Sequence, residues 1–234
     1  MLDFSRYEIL TFDCYGTLIN WEDGILGCLH RMLAAHSKDA DDATILRLYG
    51  DFEAGAEDGE YRCYRDVLYS VVQQFGKHFG FAPTDQEARS LAASMKEWKP
   101  WPDTVMALAA LENRFRLAII SNVDDDLFAT TRPQLKVSFA EIVTAQQARA
   151  YKPSLEIFEL ALRRLGVPPR RVLHVGQSLY HDVIPAQSLG LATVWVNRPS
   201  ARKNVGAVKA VEARPDMQVA SLADLAAACG AAAL

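Results

Sequence analysis

Four short stretches of this 234-residue chain carry side chains able to do chemistry. Asp13 opens Asp13-Cys14-Tyr15-Gly16-Thr17-Leu18, and Ser121 is followed by Asn122. Lys152 stands in Tyr151-Lys152-Pro153, and Asp182 closes Gly176-Gln177-Ser178-Leu179-Tyr180-His181-Asp182. An ionised carboxylate is a nucleophile, and a nearby ammonium favours the ionised form. A lysine also balances an anionic ligand. Each stretch has a plainer explanation when taken singly. A strand-ending Asp often caps a helix, and Ser-Asn is ordinary loop chemistry. In this order, and at the ends of the elements described next, they form a set.

Short apolar runs supply those elements. Glu8–Phe12, Leu117–Ile120, Glu141–Val143, Val172–Val175 and Ala192–Val196 are continuous rather than alternating in apolar character. That pattern suits strands buried on both faces of a parallel sheet. The segments between them from Asp103 onward have helical period. Leu155, Phe158, Leu162 and Leu165 share one face, with Pro153 and Ser154 at the helix start. The predicted fold class is α/β, a doubly wound parallel sheet.

About 100 residues without a strand signal separate the first strand from Leu117. Helical period runs through Ile25, Leu29, Met32, Leu33 and His36. It continues through Tyr61, Tyr64, Leu68, Val71, Val72, Phe75 and Phe79, and then through Leu91, Ala92, Met95 and Trp98. A helical insertion directly after the first strand is expected to cover the carboxyl ends of the sheet, where ligands bind in such folds. The expected division is a core of residues 1–18 and 100–234 and a helical cap of 19–99. Linkers are placed near Leu18–Asp23 and at Lys99-Pro100-Trp101-Pro102-Asp103. The acidic stretch from Asp39 to Glu60 is read as a solvated face. The alanine-rich tail from Ala226 is expected to fray.

Composition excludes several classes. Half the residues are hydrophobic and 23% are charged, so the chain is globular rather than disordered. A net charge of −4 argues against duplex nucleic acid as a partner. No apolar run approaches a membrane span. Cys14, Cys28, Cys63 and Cys229 form no CxxC or zinc spacing. Free thiols and a start without signal-peptide order point to the reducing cytoplasm. A small anionic molecule is the expected partner, and a homodimer is left open.

The four stretches resemble the four motifs of the haloacid dehalogenase superfamily, over nearly the whole chain. That resemblance implies Asp13 as nucleophile and Ser121 as holder of the substrate's anionic group. It implies that Lys152 pairs with the nucleophile and that Asp182 positions Lys152. Most of the superfamily are magnesium-dependent phosphatases or phosphotransferases, with Asp-x-Asp as first motif and a further Asp in the fourth. Here those positions hold Tyr15 and Gln177. Tyr for Asp removes the acid that protonates a leaving group, and Gln for Asp removes a metal-directed charge.

Both changes favour the 2-haloacid dehalogenase branch, whose first motif resembles Asp-x-Tyr-Gly-Thr. Carbon–halogen displacement needs neither a leaving-group proton nor a metal, so no cofactor is expected. Magnesium enters only if the chain is a phosphatase, and a non-catalytic binding protein on the same fold is the third alternative. Tyr15, Thr17, Asn122 and Ser178 are the expected substrate-side residues. Arg47, in competition with Arg62 and Arg65, is the candidate halide receiver in the cap. Phe158 stands where the branch usually has a tyrosine.

Overall fold

The computed structural model describes residues 2–198 and 211–231. The first strand, β1 (Ile9–Phe12), is fully buried. Helices α1 (Trp21–Ala35), α2 (Asp42–Glu57), α3 (Tyr64–Phe79) and α4 (Asp85–Ser94) follow it before α5 (Thr104–Glu112) returns the chain to the sheet. Next come β2 (Arg116–Ser121), α6 (Asp125–Thr131), β3 (Glu141–Thr144), α7 (Ala145–Ala148) and α8 (Leu155–Leu165). The chain ends with β4 (Val172–Gly176), α9 (Ile184–Ser188), β5 (Ala192–Val196), β6 (Met217–Val219) and α10 (Leu222–Ala228).

The sheet is parallel throughout, in the order β3-β2-β1-β4-β5-β6. Alternate strand residues feed opposite layers. Leu10, Phe12, Leu117, Ile119 and Val175 belong to one core cluster. Ile9, Ala118, Ile120 and Val172 belong to the other, with Ile157 and Phe158 of α8. Strand order reverses between β1 and β4, so the carboxyl end of β1 lies at the topological switch point, where a crevice forms. Asp13 is the next residue, held by its backbone N–H on Val175 O at 3.0 Å.

The two segments joining the helical insertion to the sheet meet in an antiparallel bridge between Ile19 and Pro100. Within the insertion, Tyr61 lies before α3 rather than on it, as its spacing had predicted. The helix starts at Tyr64 because Asp124, across the site, accepts the N–H groups of Tyr64 and Arg65 at 2.9 Å each. Capping of this kind is worth about 1 kcal/mol, and here it fastens the insertion to the sheet. Leu155 is exposed at the first turn of α8 rather than on the buried face. β6 carries no sequence signal, being three residues at the sheet edge.

The alanine-rich tail is helical to Ala228, with Leu225, Ala226 and Cys229 buried. Residues 232–234 of that tail lie outside the described residues. All four cysteines are free. Among the described residues no helix is long and apolar enough to cross a membrane.

Candidate active site

β1 delivers Asp13, and a tight turn follows it. Gly16 takes φ +97, which side chains rarely adopt. That turn brings Thr17 back so that its hydroxyl donates to Asp13 Oδ2 at 2.7 Å. The same hydroxyl oxygen accepts the backbone N–H of Gln177 at 2.8 Å. Thr17 therefore holds the nucleophile candidate from behind and does not line the chamber, correcting its expected place on the substrate side.

Lys152 arrives from the loop before α8, and its ammonium is buried. It donates to Asp13 Oδ1 at 2.8 Å, Asp182 Oδ1 at 2.7 Å and Ile120 O at 3.1 Å. Asn122 orients the lysine backbone from both sides. Its Nδ2 donates to Lys152 O at 3.1 Å and its Oδ1 accepts Lys152 N–H at 2.7 Å.

Asp182 reaches the lysine despite the longer approach from Ser178. A π turn at Leu179–Val183 absorbs the additional residue, with Val183 N–H bonding back to Ser178 O. Asp182 also accepts the Ser178 N–H and contacts His174 Nε2 at 3.2 Å. His174 in turn meets Thr11 through Nδ1 at 2.9 Å. A buried relay of polar groups thus runs from Thr11 to Asp13. His174 was not anticipated, since inside an apolar strand run nothing distinguishes it from a core histidine.

Electrostatics separate the two carboxylates. Burial raises both, but Lys152 and His174 outweigh burial at Asp182 and hold it below the usual carboxylate range. At Asp13 burial prevails over the pull of Lys152, helped by repulsion from Asp182, so its carboxyl titrates above the usual range. Burial acts to lower Lys152, but the two carboxylates outweigh it and keep the ammonium charged.

Gly176 permits this geometry. A Cβ there would lie 2.5 Å from Asp182 Cβ and Cγ. Gly176→Ala is expected to push Asp182 off Lys152, costing about 1–3 kcal/mol of stability and roughly tenfold in turnover. Melting and steady-state assays check it, and wild-type turnover in this variant would dismiss the dependence on Asp182.

A chamber of about 50 Å³ opens over these groups. Asp13, Ser121, Lys152 and Asp182 all line it, with Tyr15, Asn122 and Ser178. Ser121 Oγ is buried with no hydrogen-bond partner among the described residues, so it is open to a ligand. Ser178 Oγ accepts His181 N–H at 2.9 Å. His181 lines the chamber, and burial lowers its pKa to about 4, leaving a neutral imidazole at pH 7. Tyr15 bonds Thr131 through its hydroxyl at 2.9 Å and packs edge-on against Trp98. A larger groove of about 780 Å³, bordered by Phe128, Arg132 and Lys136, shares no residue with the chamber.

Two expected substrate contacts lie elsewhere. Arg47 is exposed and pairs with Asp51 one turn along α2. Its competitors are also spent, Arg62 on Ala56 O and Arg65 on Asp126. Phe158 is fully buried under the sheet, edge-on to His174 at 5.0 Å between centroids.

From the insertion the chamber receives instead Trp21, Tyr64, Glu53 and Glu57. Glu53 is buried and accepts the hydroxyls of Tyr49 at 2.7 Å and Tyr64 at 2.6 Å. Burial raises the pKa of Glu53 and Glu57. The acidic stretch is thus not uniformly solvated. The spacing of Ile45, Tyr49 and Glu53 along one face of α2 was the available signal.

The donor set does not fit a magnesium ion. Asp13 and Asp182 are engaged by Lys152 and other donors, and Gln177 brings a neutral amide. No group of three or more His, Cys, Asp or Glu side chains suited to a metal occurs among the described residues.

A family model described as haloacid dehalogenase-like hydrolase matches residues 7–190. A pyrimidine 5'-nucleotidase, YjjG of Escherichia coli, is 31% identical over 202 residues, 82% of this chain and 87% of that one. An (S)-2-haloacid dehalogenase of Pseudomonas putida is 24% identical over 170 residues, 71% of this chain and 72% of that one. The solved structure of the L-2-haloacid dehalogenase from Xanthobacter autotrophicus superposes with a TM-score of 0.80 at 21% identity, covering 94% of this chain and 97% of that one. At that identity the superposition speaks for the fold alone.

Proposed function

Since this chain belongs to the haloacid dehalogenase-like hydrolases, we propose that it hydrolyses the carbon–halogen bond of a short 2-halocarboxylic acid through an ester on Asp13. One observation carries the reading. Asp13 is held by Lys152 and Thr17 with no second carboxylate on the same turn, where Tyr15 is tied to Thr131 instead. Such a site has a nucleophile but lacks the first-motif acid that phosphate esters need.

In the first step an Asp13 oxygen bonds to the α-carbon, and the carbon–halogen bond breaks with its electron pair leaving on the halide. The Ser121 hydroxyl, without a hydrogen-bond partner among the described residues, meets the substrate's carboxylate, and the charge of Lys152 balances it. In the second step water adds to the Asp13 carboxyl carbon and the ester bond breaks. One water proton ends on the product hydroxyl and the other is released to solvent. No step uses a metal. No arginine of the insertion lines the chamber among the described residues; Trp21 of α1 lines it on that side.

A second reading has its own observation. The nucleotidase relative is closer in identity than the dehalogenase relative, so hydrolysis of a small phosphate ester is the alternative. A screen of 2-halocarboxylates and phosphate esters, with and without excess EDTA, separates them. Halide release unchanged by chelator is the expected result. Phosphate release that EDTA abolishes and magnesium restores would replace this reading with the second.

A further inference from the structure

The small chamber adjoins a larger cleft. Glu57, Lys152 and His181 line both it and an outer cleft of about 560 Å³. The inner space suits a reacting group of a few atoms, since a water molecule's share of liquid is about 30 Å³. The outer one is within the range of small-molecule pockets.

Aromatic side chains furnish that cleft. The rings of Tyr61 and Tyr151 lie 5.3 Å apart at 33°, and Tyr180 is a further wall. Tyr151 immediately precedes Lys152, so the aromatic wall and the ammonium share one backbone segment. Tyr151 also donates through its hydroxyl to Arg62 O at 2.8 Å, which ties the wall to the loop before α3.

Arg149 completes the cleft. Its guanidinium sits 4.8 Å from the Tyr61 ring, in no ion pair among the described residues. Arg149 caps the C-terminus of α7 at φ +57. Glycine or asparagine is the low-cost residue at such a position.

We propose that the outer cleft is a second subsite, taking a planar aromatic tail that bears a neutral oxygen acceptor, while the inner chamber takes the reacting end of the same molecule. The tyrosine rings pack against the tail, and Arg149 donates to the acceptor. Charge decides the class of tail. Asp58 and Glu156 also line the cleft and offset Arg149 and Lys152, while burial favours the neutral form of Glu57, so the lining is close to balanced in charge and a neutral tail suits it. The identity of the reacting end rests on the function proposed above; the tail subsite does not.

Calorimetric binding of ligand pairs tests it without turnover. Lactate is compared with 4-hydroxyphenyllactate, and inorganic phosphate with 4-hydroxyphenyl phosphate. The tailed member of at least one pair is expected to bind roughly tenfold more tightly. In Arg149→Gly and in Tyr61→Leu that ratio should fall below about twofold. Arg149→Gly suits the local backbone, so misfolding does not cloud it. A gain seen only in the phosphate pair keeps the subsite and removes the haloacid reading. Equal affinities in both pairs, or a gain that survives both substitutions, overturns the subsite.

Discussion

Single turnover in ¹⁸O-water, with enzyme in excess over a 2-halocarboxylate, is expected to put solvent oxygen into the peptide that carries Asp13. The geometry dictates where the label goes. Asp13 is fixed at the end of β1 by Thr17 at 2.7 Å and Lys152 at 2.8 Å, facing the chamber. If one of its oxygens bonds to the substrate's α-carbon, that oxygen departs with the product as its new hydroxyl. The replacing oxygen comes from the water that cleaves the ester, so the carboxyl becomes heavy and the product stays light. Were Asp13 only a base that activates water, solvent oxygen would enter the product directly and the peptide would stay light. Mass spectrometry of the digested protein distinguishes the two patterns. Asp13→Asn does not, because it is inactive under both mechanisms.

Lys152→Met is expected to lower turnover by at least about 10²-fold, the scale for loss of a preorganised charge at a reacting centre. The ammonium lies between two buried carboxylates at 2.8 and 2.7 Å. Without it, only Thr17 at Asp13 and His174 at Asp182 oppose burial and mutual repulsion. Asp13 already titrates above the usual carboxylate range, and removing the cation raises it further. The acid limb of the residual activity should therefore move to higher pH. Lys77→Met, an exposed lysine on α3, is the control and should leave both turnover and pH profile unchanged. A thermal melt at each pH shows whether the fold survives the substitution. Near-normal turnover in folded Lys152→Met, or an unmoved acid limb, rejects the role of the ammonium.

Much of this was legible along the chain, for local reasons. Continuous apolar runs mark β1 through β5 because a strand covered on both faces has no polar side to display. Asp13 follows and Ser121 ends such a run, and in a parallel sheet the carboxyl ends of strands share one edge. The helical period of α1 to α4 is strong because each helix buries a stripe against its neighbours. β6 escaped because Met217, Gln218 and Val219 form too short a run to show a period.

What the sequence by itself determined is the α/β architecture and the helical insertion after β1, which follow from side-chain period, and the four groups that meet, which follow from the resemblance of their motifs to the haloacid dehalogenase superfamily. The tertiary structure alone decided which residues of the helical insertion face them. Arg47 and Glu53 lie on one helix six positions apart. Only the packing of α2 against its neighbours turned the carboxyl inward to Tyr49 and Tyr64 and left the guanidinium in solvent. It also decided that the π turn at Leu179–Val183 would carry Asp182 back to Lys152. Helical period places a residue on a face, but which face meets the chamber depends on contacts between segments distant along the chain.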